Sequence, residues 1–192
     1  DRIESRGLGM CIRDRDWDYS WDYASSGMNF DMWVRFHNWH TISFELGNSF
    51  GGIRRNLTRG GPVAKSPTFY RYNIAYRTDR RKNINGFIRY GNRDAEDGEY
   101  DKSTRAGINL RPNSQWEIEF DVFTSREFDT DQYVATIVDP IAASTYGSRY
   151  LFTDISTNSK GLTFEANYIK SPKLSFQLFL QPELSNLSLI HI

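Results

Sequence analysis

The segment Trp116–Val122 reads Trp-Glu-Ile-Glu-Phe-Asp-Val, a strict alternation of large apolar and acidic side chains. A period of two is the period of a β-strand, so Trp116, Ile118, Phe120 and Val122 fall on one face and Glu117, Glu119 and Asp121 on the other. Such a strand has two homes. A soluble sandwich turns the apolar face inward and leaves the charges in water. A membrane barrel turns it outward to lipid and keeps the charges in a wet lumen.

The same alternation recurs along the chain. Asp16–Tyr23 places Trp17, Tyr19, Trp21 and Tyr23 on one face. Met28–Phe36 sets Met28, Phe30, Met32 and Val34 against Asp31 and Arg35. Thr41–Phe50 sets Ile42, Phe44 and Leu46 against Ser43 and Glu45. Phe69–Arg77 sets Tyr70, Tyr72, Ile74 and Tyr76 against Arg71, Asn73 and Arg77. Asn83–Gly91 sets Ile84, Ile88 and Tyr90 against Arg89, and Lys102–Leu110 sets Ile108 and Leu110 against Arg105. Gln115–Thr124 contains the opening segment. Gly161–Ile169 sets Leu162, Phe164 and Tyr168 against Glu165, and Leu174–Gln181 sets Leu174, Phe176 and Leu178 against Ser175 and Gln177. No apolar spacing of three and four is sustained over two helical turns, so the chain is expected to be all-β.

The connections carry a second pattern. Short turns are expected at His37–His40, Thr78–Lys82, Arg111–Ser114 and Lys170–Pro172, and long loops at Gly51–Thr68, Asn92–Asp101 and Ser125–Lys160. Short and long alternate from Phe36 onward, as periplasmic turns and external loops do in outer-membrane barrels. By that parity Arg149–Ile155 belongs inside an external loop, and Ala24–Gly27 is an external connection. Tyr and Trp gather near strand ends, at Tyr76, Tyr90 and Trp116, where membrane interfaces favour them.

Composition narrows the field. Among 192 residues, 24 Lys and Arg balance 24 Asp and Glu. Without a basic excess there is no counterion release to drive nucleic-acid binding, so nucleic acid is not an expected partner. No run approaches the roughly 18 apolar residues of a membrane helix, which leaves a barrel open. One cysteine, Cys11, rules out an internal disulfide. The chain starts Asp-Arg-Ile-Glu without a signal peptide, and Leu187–Ile192 looks like a translated sequencing adapter. We therefore expect a fragment: an N-terminal remnant over 1–15, a partial barrel over 16–186 and a scar over 187–192.

Several stretches resemble one family. They are Arg59-Gly60-Gly61-Pro62, Tyr70–Tyr76 with the turn Thr78–Lys82, Arg149-Tyr150-Leu151-Phe152, Leu162–Tyr168, and Ser171–Pro182. Their order and spacing, over roughly Thr41 to Pro182, resemble the C-terminal barrel region of a Gram-negative outer-membrane family of unknown function. Its members are labelled carbohydrate-binding family 9 domain-containing proteins, after a separate N-terminal domain. The resemblance implies an outer-membrane barrel. It also implies that the N-terminal domain and the closing strands are missing from this chain, leaving two open edges.

Three constellations could carry chemistry. Glu117-x-Glu119-x-Asp121 is similar to the acid array of family-16 retaining glycosidases, although Glu119 stands where that array has Asp. Such an enzyme needs one charged and one protonated carboxyl about 5–5.5 Å apart. The preferred reading is a lumen-facing strand whose acids pair with Arg71, Arg89 or Arg105. His37 and His40 flank Trp39 without a third metal ligand beyond Asp31 or Glu45, and read as a turn pair. Asp94, Glu96, Asp97, Glu99 and Asp101 surround Gly98 but lack the ligand order of a calcium loop, and read as a solvated loop.

The sequence thus predicts an all-β, antiparallel up-and-down transmembrane barrel, incomplete at about nine strands, in the outer membrane. Asp31, Arg35, Glu45, Arg71, Arg77, Arg89, Arg105, Glu117, Glu119, Asp121 and Glu165 would line the lumen. Tyr72, Ile74, Ile88, Ile108, Trp116, Ile118, Phe120, Phe164, Phe176 and Leu178 would meet lipid. No catalytic, cofactor or metal site is expected. The expected role is passage or surface handling of a small solute or glycan. A soluble glycan-active sandwich using Glu117, Glu119 and Asp121 is the first alternative, and a structural or adhesive barrel the second.

Overall fold

The computed structural model describes residues 8–9, 13–17 and 23–189, and these form an all-β molecule. In chain order the strands are β1 (Leu8–Gly9), β2 (Arg13–Trp17), β3 (Tyr23–Arg35), β4 (Thr41–Phe50), β5 (Ile53–Arg54), β6 (Ala64–Lys65), β7 (Phe69–Arg77), β8 (Ile84–Ala95), β9 (Tyr100–Asn113), β10 (Trp116–Val138), β11 (Ser148–Ser171), β12 (Leu174–Leu180) and β13 (Glu183–Leu189). One turn of 3-10 helix, Ala143–Thr145, lies at the tip of the β10–β11 hairpin.

One antiparallel sheet runs β1-β3-β4-β7-β8-β9-β10-β11-β12, with β2 also on β3 and β13 also on β11. From β3 to β12 its order is up-and-down, interrupted only by the separate β5–β6 ribbon between β4 and β7. The first and last strands of that order do not pair with each other, so the sheet is open rather than closed into a barrel. β12 and β13 share one register on β11, through Phe164↔Leu180 and Gly161↔Glu183. They form one edge broken at Pro182, which has no N–H to give the ladder. Leu187 and Leu189 face the same way as Ser185 on this edge, reversing the alternation of the preceding strands.

The alternating segments become strands close to the expected bounds, and β4 and β7 match them. Four expectations are corrected. Trp17 and Tyr23 are antiparallel partners on two strands, so Asp16–Tyr23 is not one strand; Tyr19 and Trp21 lie outside the described residues. Ala24–Gly27 is strand rather than connection. Asn92–Asp101 is mostly strand, with β8 and β9 joined by a tight turn over Glu96–Glu99. Ser125–Lys160 is no loop: β10 and β11 stay paired out to Val138↔Ser148, and Arg149–Ile155 continues β11. The physical reason is common to the last two. Beyond the apolar band polar residues fall on both faces, and in β10 two bulges also shift the register, so the period-two signal fades while the hydrogen-bond ladder continues.

No apolar side chain among the described residues is buried. Ile84, Ile88, Ile108, Phe120 and Phe176 are all exposed. The β5–β6 ribbon is the only other sheet among the described residues, and no second sheet packs against the main one, so the two-layer arrangement of a sandwich is not found there.

Candidate functional site

Every register in the main sheet between β3 and β12 pairs odd residues with odd and even with even, apart from the bulges. One face is therefore built wholly from odd positions. It gathers Asp31, Arg35, Glu45, Arg71, Arg77, Arg89, Arg105, Glu117, Glu119, Asp121 and Glu165. The opposite face gathers Tyr72, Ile74, Ile88, Ile108, Trp116, Ile118, Phe120, Phe164, Phe176 and Leu178. The two predicted sets thus separate cleanly, one to each face.

On the even face the apolar residues form rows across the strands. One row runs Val34, Ile42, Tyr76, Ile88, Ala106, Val122, Leu162. Near the short turns, Trp116 stacks within 4.6 Å of Tyr168, and Tyr168 lies 6.4 Å from Phe176. Toward the long loops the row through Asn92, Lys102, Arg126 and Asn158 is polar. The apolar band along β10 covers Trp116–Val122, roughly 20 Å at about 3.4 Å per residue.

The odd face is held by polar pairs between neighbouring strands. Arg105 bonds Asp121 at 2.6 Å, Arg111 bonds Glu117 at 2.6 Å, and Arg89 lies 3.8 Å from Glu45. Asn109 donates to Glu119 at 2.7 Å and to Glu117 at 3.2 Å, and Asn167 and Gln177 both donate to Glu165. Arg71 donates to Asn29, and Arg35 lies over Trp33 and Trp39. Of the arginines expected to meet the acid ladder, only Arg105 does so. Arg111, at the strand end, was not singled out because it falls within a segment read as a turn.

The acid ladder itself is fully engaged: Glu117, Glu119 and Asp121 each accept hydrogen bonds from Arg or Asn donors. His40 Nδ1 lies 2.5 Å from the Tyr76 hydroxyl, and His37 is exposed in the turn.

At the long-loop end a connection crosses the sheet. The Gly51–Thr68 segment reaches past β7, β8 and β9 to the β10–β11 hairpin. Arg54 bonds Asp131 and lies 4.0 Å from Glu99, and Arg59 stacks over Tyr133 at 4.4 Å. Gly61 approaches Tyr150 so closely that a Cβ there would lie 2.2 Å from its ring. Glu99, Asp129 and Asp131 each offer an oxygen within 4.8 Å of the others. Burial, with Asp131 and Asp97 nearby, pushes the Glu99 carboxyl up to about 7, against the opposing pull of Arg54. Burial also raises Asp131. Arg54 supplies positive charge to this cluster, and of the acids between Asp94 and Asp101 only Glu99 enters it. The pairing of Asp131 with Arg54 has no local sequence signal, because the partners meet only through the long hairpin.

At the short-turn end, Asp79 and Arg81 form a two-pronged pair, and Arg81 lies 3.7 Å over Trp39. Arg81 holds the Asp79 carboxyl down at about 2. The β7–β8 turn is thereby tied to the β3–β4 turn.

No family model, curated protein or solved structure matches the chain.

Proposed function

We propose that this chain forms part of the wall of an outer-membrane β-barrel, its even face toward lipid and its odd face lining water through which a small polar solute or glycan passes. One observation carries the reading: an exposed apolar band, ending in aromatics at the short turns and in a polar row toward the long loops, lies on a sheet whose other face carries ion pairs between neighbouring strands. Soluble monomers rarely expose contiguous apolar patches beyond a few hundred Å². Lipid removes that cost, while water on the other face solvates the charges. Conversely, the balanced charge gives nucleic acid no electrostatic hold. The resemblance of segments between Thr41 and Pro182 to the outer-membrane family labelled for a carbohydrate-binding domain is a second support. In this reading the two free edges of the sheet pair with further strands to complete the barrel. No catalytic role is assigned to the acid ladder.

Adjacent residues on one strand test it. Ile108 and Asn109 point to opposite faces of β9. In a Cys11→Ser background, Ile108→Cys and Asn109→Cys are each labelled with an environment-sensitive fluorophore and the protein is folded into phospholipid vesicles. The label at 108 is expected to be quenched by doxyl lipid, and the label at 109 by aqueous iodide. Equal response at both positions, or failure of the folded protein to enter vesicles or detergent, overturns the reading.

A further inference from the structure

The odd face carries a depression where a strand has dispensed with a side chain. Gly107 stands between Phe87 on β8 and Asp121 on β10. A Cβ at Gly107 would lie 1.8 Å from the Asp121 Oδ1 and 2.7 Å from the Phe87 ring. Only glycine lets the ring and the carboxylate fold over the backbone at this point. Between this row and the next toward the short turns lies a pocket of about 320 Å³, within the range of small-molecule sites. Arg77, Arg80 and Arg111 line it, with Phe87 as an apolar wall and Glu119 and Asp121 on the β10 side.

Among the charged groups of this pocket the unmet hydrogen-bond demand is one-sided. Its carboxylates are already supplied: Asp121 by Arg105, and Glu119 by Asn109. Arg111 is taken by Glu117. The guanidinium groups of Arg77 and Arg80 form no hydrogen bond or ion pair among the described residues. Each offers five N–H donors in a planar fork that matches an oxyanion. On the same face Arg89 and Arg105 each have an acidic partner, while Arg71 donates to Asn29 and Arg35 lies over Trp33 and Trp39. Two unmatched guanidinium groups thus sit together at a cavity, beside an aromatic ring.

We propose that this pocket binds a small oxyanion-bearing solute, a carboxylate or phosphate on a body of about monosaccharide size, with Arg77 and Arg80 gripping the anion and Phe87 flanking the body. As the solute class of the aqueous path it rests on the function proposed above; as a binding site it needs only that water reach this face.

Calorimetric titration of the detergent-folded protein tests it, with D-glucuronate, inorganic phosphate and neutral glucose as probes. Saturable binding of glucuronate or phosphate is expected, and none of glucose. The Arg77→Gln/Arg80→Gln double variant is expected to weaken that binding at least tenfold with an unchanged circular dichroism spectrum, and Lys173→Gln to leave it unchanged. Gly107→Ala is expected to abolish binding by displacing Phe87 and the Asp121 carboxylate from their places over the strand; because the same clash disturbs the sheet, the arginine variants decide. Binding of neither anion, equal affinity in the double variant, or binding only to micelles containing phosphatidylglycerol, which points to a lipid headgroup, overturns the proposal. The labels at 108 and 109 report the membrane reading separately, so either can fail alone.

Discussion

Arg54 and Asp131 stand 77 positions apart in the chain and share a charge-assisted hydrogen bond. The bond fastens the Gly51–Thr68 connection to a hairpin that is not its neighbour in the sheet. Hydrogen bonds to charged groups contribute about 1.5–3 kcal/mol. Arg54→Gln is therefore expected to free the strap and leave the sheet intact. Trypsin cleavage after Arg59 and Lys65 should accelerate by about tenfold or more where cleavage follows the open population. Asp131→Asn should do the same. Unchanged cleavage in both variants would mean the strap is held by other contacts, and Arg59→Ala, which removes the stacking on Tyr133, then becomes the informative change.

Glu99 predicts an opposite sign from most carboxylates. Its carboxyl is raised from 4.5 to about 7 by burial and the neighbouring acids. The folded state therefore holds the proton more tightly than the unfolded chain. The ionisation penalty is absent below pH 4.5, grows as pH rises, and is complete above pH 7. Glu99→Gln should raise the unfolding temperature at pH 8, by roughly 2–4 °C for each kcal/mol relieved, and leave it unchanged at pH 4. A stabilisation equal at both pH values would contradict this account.

How far the sequence reveals such features depends on distance along the chain. The face assignment of Trp116–Val122 was legible because neighbouring residues alone set it: a period of two has one solution. The same logic separated Arg71 from Tyr72 and Ile88 from Arg89. It failed for Arg126–Val138, where polar residues occupy both faces and alternation carries no signal, although the ladder to β11 continues. The cluster of Arg54, Glu99 and Asp131 was invisible for another reason. Its members come from the Gly51–Thr68 connection, the β8–β9 turn and the outer part of β10, and their meeting is fixed by strand register and by the length of the β10–β11 hairpin. Gly107 carries no signal of its own in the sequence, because its role depends on Phe87 and Asp121 across two different ladders.

The two faces should answer differently to substitution on one strand. Ile118 lies on the apolar band and Glu119 on the charged face. For protein folded in vesicles, Ile118→Arg should destabilise by about 2–4 kcal/mol, the cost of a cation near the bilayer midplane. Glu119→Gln keeps the hydrogen bond from Asn109 and should change the urea midpoint little. A mild Ile118→Arg alongside a severe Glu119→Gln would mean that the odd face is the one hidden from water.

Asp79 links pH to the turn end of the sheet. Its carboxylate accepts two hydrogen bonds from the Arg81 guanidinium at 2.9 Å each and one from the Arg81 backbone N–H at 3.0 Å. This arrangement holds Arg81 against Trp39. Its pKa falls from 3.8 to about 2 in the fold. The stabilisation is accordingly complete above pH 3.8 and is lost as pH falls through about 2. Asp79→Asn should abolish that acid-dependent step at neutral-to-acid titration and loosen Arg81 from Trp39 at every pH. Trp39 emission, isolated by replacing the other tryptophans with Phe, reports it: a transition with its midpoint near 2 in the parent protein and none in the variant. A transition near 3.8 in the parent would show that the Arg81 pair contributes nothing in solution.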